Sequence, residues 1–152
     1  MLKKVIKLPN LYDFIVFRAL VEIELRRVRA YNRDTRFSIG FFYSPQIAEY
    51  IRSDSIRYMG FIKKMKNILS EPDVITPVED DFIFFFFPDI SRAEAEKKVE
   101  SIKKLFRGKE IIDGMASYPE DGKTEHELFD KLVKIMNEKL IPVIDLYEKE
   151  KE

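Results

Sequence analysis

The stretch PVEDDFIFFFFPD, residues Pro77–Asp89, decides how this chain folds. Six large apolar residues run unbroken from Phe82 to Phe87, directly behind three carboxylates, Glu79, Asp80 and Asp81. A strand with no polar side needs cover on both faces, so the run predicts an inner strand of a sheet with helices on each side. The competing readings, a membrane-insertion loop and an aggregation-prone segment, require the same residues to be exposed. The three acids read as a solvated turn ahead of the strand.

The flanking sequence supplies partners for such a strand. Upstream, DVITPV is a second strand, and Pro77 within it suits an edge or irregular strand. RFSIGFFY is a short, nearly continuous apolar run and reads as a buried strand. Ahead of it, Phe14, Phe17, Val21, Leu25 and Val28 recur at helical spacing, with Arg18, Arg26 and Arg29 on the other face. Ser44 followed by Pro45 is a helix start, and Ile62, Met65 and Leu69 place another helix within Ser53–Leu69. Downstream, SRAE at Ser91–Glu94 is a capping box for a helix carrying Ala95, Val99, Ile102 and Leu105, closed by Gly108. EIIDGMASY is a fourth strand and PEDG a turn. TEHE at Thr124–Glu127 opens a helix through Leu128, Leu132, Ile135 and Met136. LIPVIDLY reads as a last strand, and EKEKE as a solvated tail. Helices alternating with strands, plus one hairpin, predict a mixed sheet covered by helices in a single domain over residues 1–152, with 143–152 as last strand and tail.

Composition narrows the function classes. The 152 residues are 45% hydrophobic and 36% charged, enough for a real core and too apolar for a disordered chain. Lys and Arg total 27, as do Asp and Glu, which argues against a dedicated nucleic-acid binder. The absence of Cys excludes disulfides and thiolate metal sites, and the single His126 excludes a multi-histidine site. Abundant Lys and Glu with one Gln suit a thermophile. MLKKVIKLPN has no signal-peptide core, and no run approaches the roughly 20 apolar residues of a membrane span. The expectation is a cytoplasmic protein.

Three stretches, in order, make the chain resemble the GGDEF domain of diguanylate cyclases. LPNLYDF at Leu8–Phe14 is similar to that family's lead-in, and FSIGFF at Phe37–Phe42 to its first strand. DVITPVEDDFIFFFFP at Asp73–Pro88 aligns without a gap to its signature hairpin. GMASYPEDGKTEHEL at Gly114–Leu128 is the most specific match. The resemblance implies a five-stranded sheet flanked by helices around a ferredoxin-like core, with the signature on a tight hairpin between the second and third strands. It implies that two such domains meet face to face, each holding GTP with Mg²⁺, to form cyclic di-GMP. The chain starts close to the lead-in, which implies that sensory input arrives from a separate chain.

Carried over position by position, the signature falls on Glu79, Asp80, Asp81, Phe82 and Ile83. Both glycines are acids, the first acidic position is kept as Asp81, and the second is Phe82. A one-residue shift matches Val78, Glu79, Asp80, Asp81 and Phe82 instead, keeping both acids and losing both glycines. The strand-end metal carboxylate falls at Tyr43. Of the guanine-reading residues only Asp54 is a loose counterpart. The helical motif near the end appears as LVKIMN, Leu132–Asn137, without its Asp and Tyr. The feedback site for cyclic di-GMP appears as SEPD, Ser70–Asp73, with Asp73 but no Arg.

These replacements point to a catalytically inactive GGDEF-like signalling domain that binds a protein partner or a second copy. Two unit charges 4 Å apart interact by about 1 kcal/mol in water and about 4 kcal/mol near a protein surface, so added acids repel a triphosphate. Binding of GTP or cyclic di-GMP is therefore doubtful, and no cofactor is expected. The alternative is an active diguanylate cyclase that uses Mg²⁺ on Asp80 and Asp81. A third reading puts phosphates or RNA on Arg26, Arg27, Arg29, Arg33 and Arg36, against which a helix face salted with Glu22 and Glu24 stands as the simpler account. His126, in a first helical turn, reads as a surface residue.

Overall fold

Short polar side chains start the helices where the sequence places them. The computed structural model describes residues 12–31 and 34–151, the stretch from 143 onward as backbone. The Asp13 carboxylate accepts the Val16 N–H at 2.9 Å and opens α1 (Phe14–Ala30). After β1 (Phe37–Tyr43), Ser44 caps α2 (Pro45–Arg52) by accepting the Ile47 N–H. Asp54 does the same for α3 (Ser55–Ile68), taking the Ile56 N–H at 2.8 Å. The hairpin strands β2 (Val74–Ile75) and β3 (Phe82–Pro88) follow. Ser91 caps α4 (Arg92–Lys104), and its hydroxyl donates to the Glu94 carboxylate. Gly108, at φ 86°, turns the chain toward β4 (Ile112–Tyr118). Thr124 accepts the Glu127 N–H at the start of α5 (Glu125–Lys151).

The sheet order is β2-β3-β1-β4, and every neighbouring pair is antiparallel. This is the split β-α-β arrangement of a ferredoxin-like core, with α2 and α3 as one crossover and α4 as the other. Ile83, Phe85 and Phe87 pack on one face against Ile47, Ile51, Phe61, Met65, Val99 and Ile102, from α2, α3 and α4. Phe86, Phe37, Ile39 and Phe41 pack on the other against Phe17, Val21 and Leu25 of α1 and Leu128 and Leu132 of α5. The fold is α+β, as anticipated, with cover on both faces.

Three expectations need correction. The described residues form four strands, not five, and the sheet is antiparallel rather than mixed. The predicted last strand, LIPVIDLY, lies in α5. Leu140 is buried, so the helix keeps contact with the core up to the start of the β-branched run. Pro142 sits inside the helix at an exposed position. Third, the phenylalanine run is an inner strand but is not wholly buried. Ile83, Phe85, Phe86 and Phe87 are buried, whereas Phe82 and Phe84, on the α1 side near the hairpin tip, are half-buried.

Gly40 makes room for the largest of these side chains. It lies opposite Phe85 in the β1–β3 register, and a Cβ there would fall 2.2 Å from the Phe85 ring. Phe85 therefore lies across β1 at zero exposure, stacked on Phe87 with centroids 4.5 Å apart.

Candidate functional site

The hairpin tip is a two-residue loop. Glu79 and Phe82 exchange both backbone hydrogen bonds, at 3.0 and 2.9 Å, leaving Asp80 and Asp81 between them. Both central residues have positive φ, 50° and 69°, as a type I′ turn requires. Glycine and short polar residues tolerate that region best, and Asp is among the side chains that enter it. The Ser44 N–H donates to the Asp81 carbonyl at 3.0 Å, so the tip is tied to the end of β1. The Asp81 carboxylate faces Arg52 at 3.4 Å. Glu79 and Asp80 project into solvent beside the first turn of α1, where they share a cleft of about 610 Å³ with Asp13, Ile15, Phe82 and Phe84.

Behind the tip the side chains are aromatic. Tyr43 and Phe82 are direct cross-strand partners, with ring centroids 4.8 Å apart. Phe82 stacks on Phe84 at 5.8 Å, and Phe84 meets Phe14 of α1 at 4.8 Å. A continuous ladder of rings thus occupies the strand ends where the resemblance puts acidic groups. Magnesium takes oxygen ligands, and Tyr43 and Phe82 pack as rings tilted by 54°. Among the described residues no group of three or more acidic or histidine side chains is placed to hold a metal ion. The residues at these positions do not fit a divalent cation.

The remaining signature position, Ile83, is buried on the opposite face, in the core with α2, α3 and α4. Asp54 serves as the N-cap of α3. His126 is exposed and pairs with Asp130 on the same helix at 3.1 Å. Arg26 and Arg27 pair with Glu22 and Glu24, Arg29 donates to the Lys123 carbonyl, and Arg36 lies 3.9 Å from Glu120. Arg33 and the residues of the lead-in before Tyr12 lie outside the described residues.

The Ser70–Asp73 segment has a partner that sequence reading missed. Asp73 is 2% exposed, and its carboxylate accepts the Ser70 N–H at 2.7 Å and the Lys98 ammonium at 2.5 Å. Lys98 also lies over the buried Phe87 ring at 5.0 Å. The two residues are 25 apart in sequence, and no local pattern links them. These side chains border a cleft of about 670 Å³ between the β2 approach and α4. Asp73 thus holds a loop to a helix from inside the protein.

At the level of sequence, no protein-family model and no curated protein matches the chain. Solved structures do match it by shape. A DGC protein from Thermotoga maritima superposes at a TM-score of 0.65 with 22% identity, covering 82% of this chain and 95% of that one. The GGDEF domain of YfiN from Pseudomonas aeruginosa gives 0.64 with 16% identity over 84% and 88%. The fold is that of the GGDEF domain. A third match, the GGDEF domain of DgcB from Caulobacter crescentus solved in complex with c-di-GMP, gives 0.62 with 8% identity over 88% of each chain. The GGDEF fold places the Glu79–Phe82 turn on the hairpin between β2 and β3 and ties it to the end of β1. Among the described residues no helix is long and apolar enough to cross a membrane.

Proposed function

We propose that this chain is a catalytically silent GGDEF-like domain that works in the cytoplasm as a regulatory or partner-binding module in cyclic di-GMP signalling. The observation that carries the reading is the Tyr43–Phe82 ring pair at 4.8 Å. It stands where the resemblance calls for a metal carboxylate and for the second acid of the signature. Phosphoryl transfer in this kind of site depends on metals and positioning, because the protein supplies little covalent chemistry. A pair of packed rings supplies neither charge nor ligands. The two glycines that would let a nucleotide lie against the backbone are Glu79 and Asp80, whose side chains add negative charge where a triphosphate would sit.

The test is incubation of the purified protein with GTP and Mg²⁺ or Mn²⁺, with chromatography for cyclic di-GMP. The expected result is no product above a no-enzyme control. Restoring the glycines alone, with Glu79→Gly and Asp80→Gly, is expected to leave the protein silent, because Tyr43 and Phe82 remain. Product that disappears with Asp81→Ala would overturn the proposal in favour of an active cyclase. Calorimetry with GTP and with cyclic di-GMP, each with Mg²⁺, separates a silent domain that still binds nucleotide from one that binds neither.

A further inference from the structure

Helix α1 is apolar on two opposite sides. Phe17, Val21, Leu25 and Val28 are buried against the sheet. At about 100° per residue, the side directly opposite carries Ile15, Ala19 and Ile23, with Val16 beside them. Ile15 is 82% exposed, Ile23 51%, and Tyr12 and Val16 39% each. Arg26 lies on this side near its C-terminal end, and Arg18, Arg27 and Arg29 flank it. A surface helix of a globular domain ordinarily keeps such a face polar. Ile15, Ala19 and Ile23 are spaced four apart, so they form one straight stripe, with the smallest side chain at its centre.

We infer that this stripe pairs with the same stripe of a second copy, antiparallel, about a two-fold axis at Ala19. Such an isologous contact must be self-complementary, and this one is. Ile15 of each copy meets Ile23 of the other, and the two Ala19 positions let the helices approach closely. The charges agree with the same orientation. The N-terminal end of α1 is acidic, with Asp13 and the hairpin-tip residues Glu79 and Asp80 around one cleft. The C-terminal end is basic, with Arg26, Arg27 and Arg29. Antiparallel pairing sets each acidic end against the other copy's basic end, whereas parallel pairing sets like against like. Arg26 and Arg27 are engaged only with Glu22 and Glu24 on their own helix surface, ion pairs weak enough to exchange. One helix pair buries less than the roughly 1,600 Å² of a standard stable complex, so the association is weak and concentration-dependent.

The native chain has no Cys, so a single introduced thiol reports the axis directly. Ala19→Cys lies on the axis, and mild oxidation is expected to give a disulfide-linked dimer on a non-reducing gel. Val133→Cys, on the exposed side of α5, is expected to stay monomeric under the same conditions. Ile23→Glu in the Ala19→Cys protein is expected to abolish the cross-link, and raised salt or Glu79→Lys with Asp80→Lys to reduce it. These positions are exposed, so circular dichroism is expected to show each variant folded. No cross-link from Ala19→Cys, or equal cross-linking from Val133→Cys, would overturn the inference. Cross-linking untouched by Ile23→Glu would overturn it as well.

Discussion

Replacing Phe85 with Ala, alone and together with Gly40→Ala, tests the core of the sheet. Phe85 has zero exposure, and its ring is stacked at 4.5 Å on Phe87 and tilted at 5.2 Å against Phe42. Truncating a buried phenylalanine costs about 3–5 kcal/mol in transfer and cavity terms. A domain of this size holds about 5–15 kcal/mol in total, so Phe85→Ala stays folded but weakened. With a urea slope of about 2 kcal/mol per molar, a loss of about 4 kcal/mol lowers the denaturation midpoint by about 2 M. Gly40→Ala alone drives a Cβ to 2.2 Å from the same ring, an overpacking expected to cost about 1–3 kcal/mol. The two changes relieve each other, because the cavity left by the ring receives the new methyl group. Relief is partial, since the Gly114 carbonyl also lies 2.5 Å from that Cβ. The double variant is expected to be about 1–2 kcal/mol more stable than the sum of the single losses. Additivity within about 0.5 kcal/mol in urea-melt double-mutant cycles would show that the ring does not lie across Gly40, and would refute the assigned register.

Three further outcomes follow from named contacts. Asp73→Ala leaves the largely buried Lys98 without its carboxylate and is expected to cost about 3–5 kcal/mol, read by thermal melting; cyclic di-GMP binding is expected to be absent in the native chain, and micromolar binding lost in a folded Asp73→Asn variant would contradict that. Stability is expected to fall above about pH 10. The Asp113 hydrogen bond raises Lys103 above its usual 10.5, and burial raises Tyr58 above its usual 10.0, so the folded state holds both protons more tightly. That contribution is complete below the unfolded values and is lost as pH rises through the folded ones, so Lys103→Met with Tyr58→Phe is expected to flatten the alkaline loss in urea melts. Asp80→Gly relieves a left-handed residue at φ 50° and is expected to raise stability by about 0.5 kcal/mol in the same assay.

Much of this fold was legible because its local signals agree with its tertiary structure. Ser44, Ser91 and Thr124 cap helices through their own side chains, and such contacts depend on residues three positions away. The strand runs around Ile39 and Phe85 are apolar throughout because both sheet faces are covered. The end of the chain was misread because Ile141, Val143 and Ile144 are β-branched and Pro142 among them disfavours a helix interior. The deciding feature, the continuation of α5 through Pro142, has no local signal in that run. The site was legible only as a set of replacements. That Tyr43 and Phe82 pack against each other depends on the β1–β3 register. The Lys98–Asp73 pair depends on α4 crossing beside β2. The outward side of α1 was hidden for a different reason. Arg18, Arg26 and Arg29 dominate a linear reading, and only the helical phase shows Ile15, Ala19 and Ile23 as one stripe.

The hairpin tip connects these observations. Asp80 and Asp81 both occupy the left-handed region, where glycine costs least. Stability alone would favour glycine there, and turn geometry alone would accept uncharged Asn equally well. Asp81 has an internal use, since its carbonyl receives the Ser44 N–H and its carboxylate faces Arg52. Asp80 and Glu79 have none of that kind, as both point into solvent. The helix dipole at the start of α1 is a weak reason for their charge, because Asp13 already caps that end and further acids repel it. Their charge is open to a partner outside the chain. A triphosphate is the wrong sign for it. A basic protein surface is the right one, and the arginine end of α1 in a second copy is such a surface. On that reading the hairpin tip presents its acids to protein.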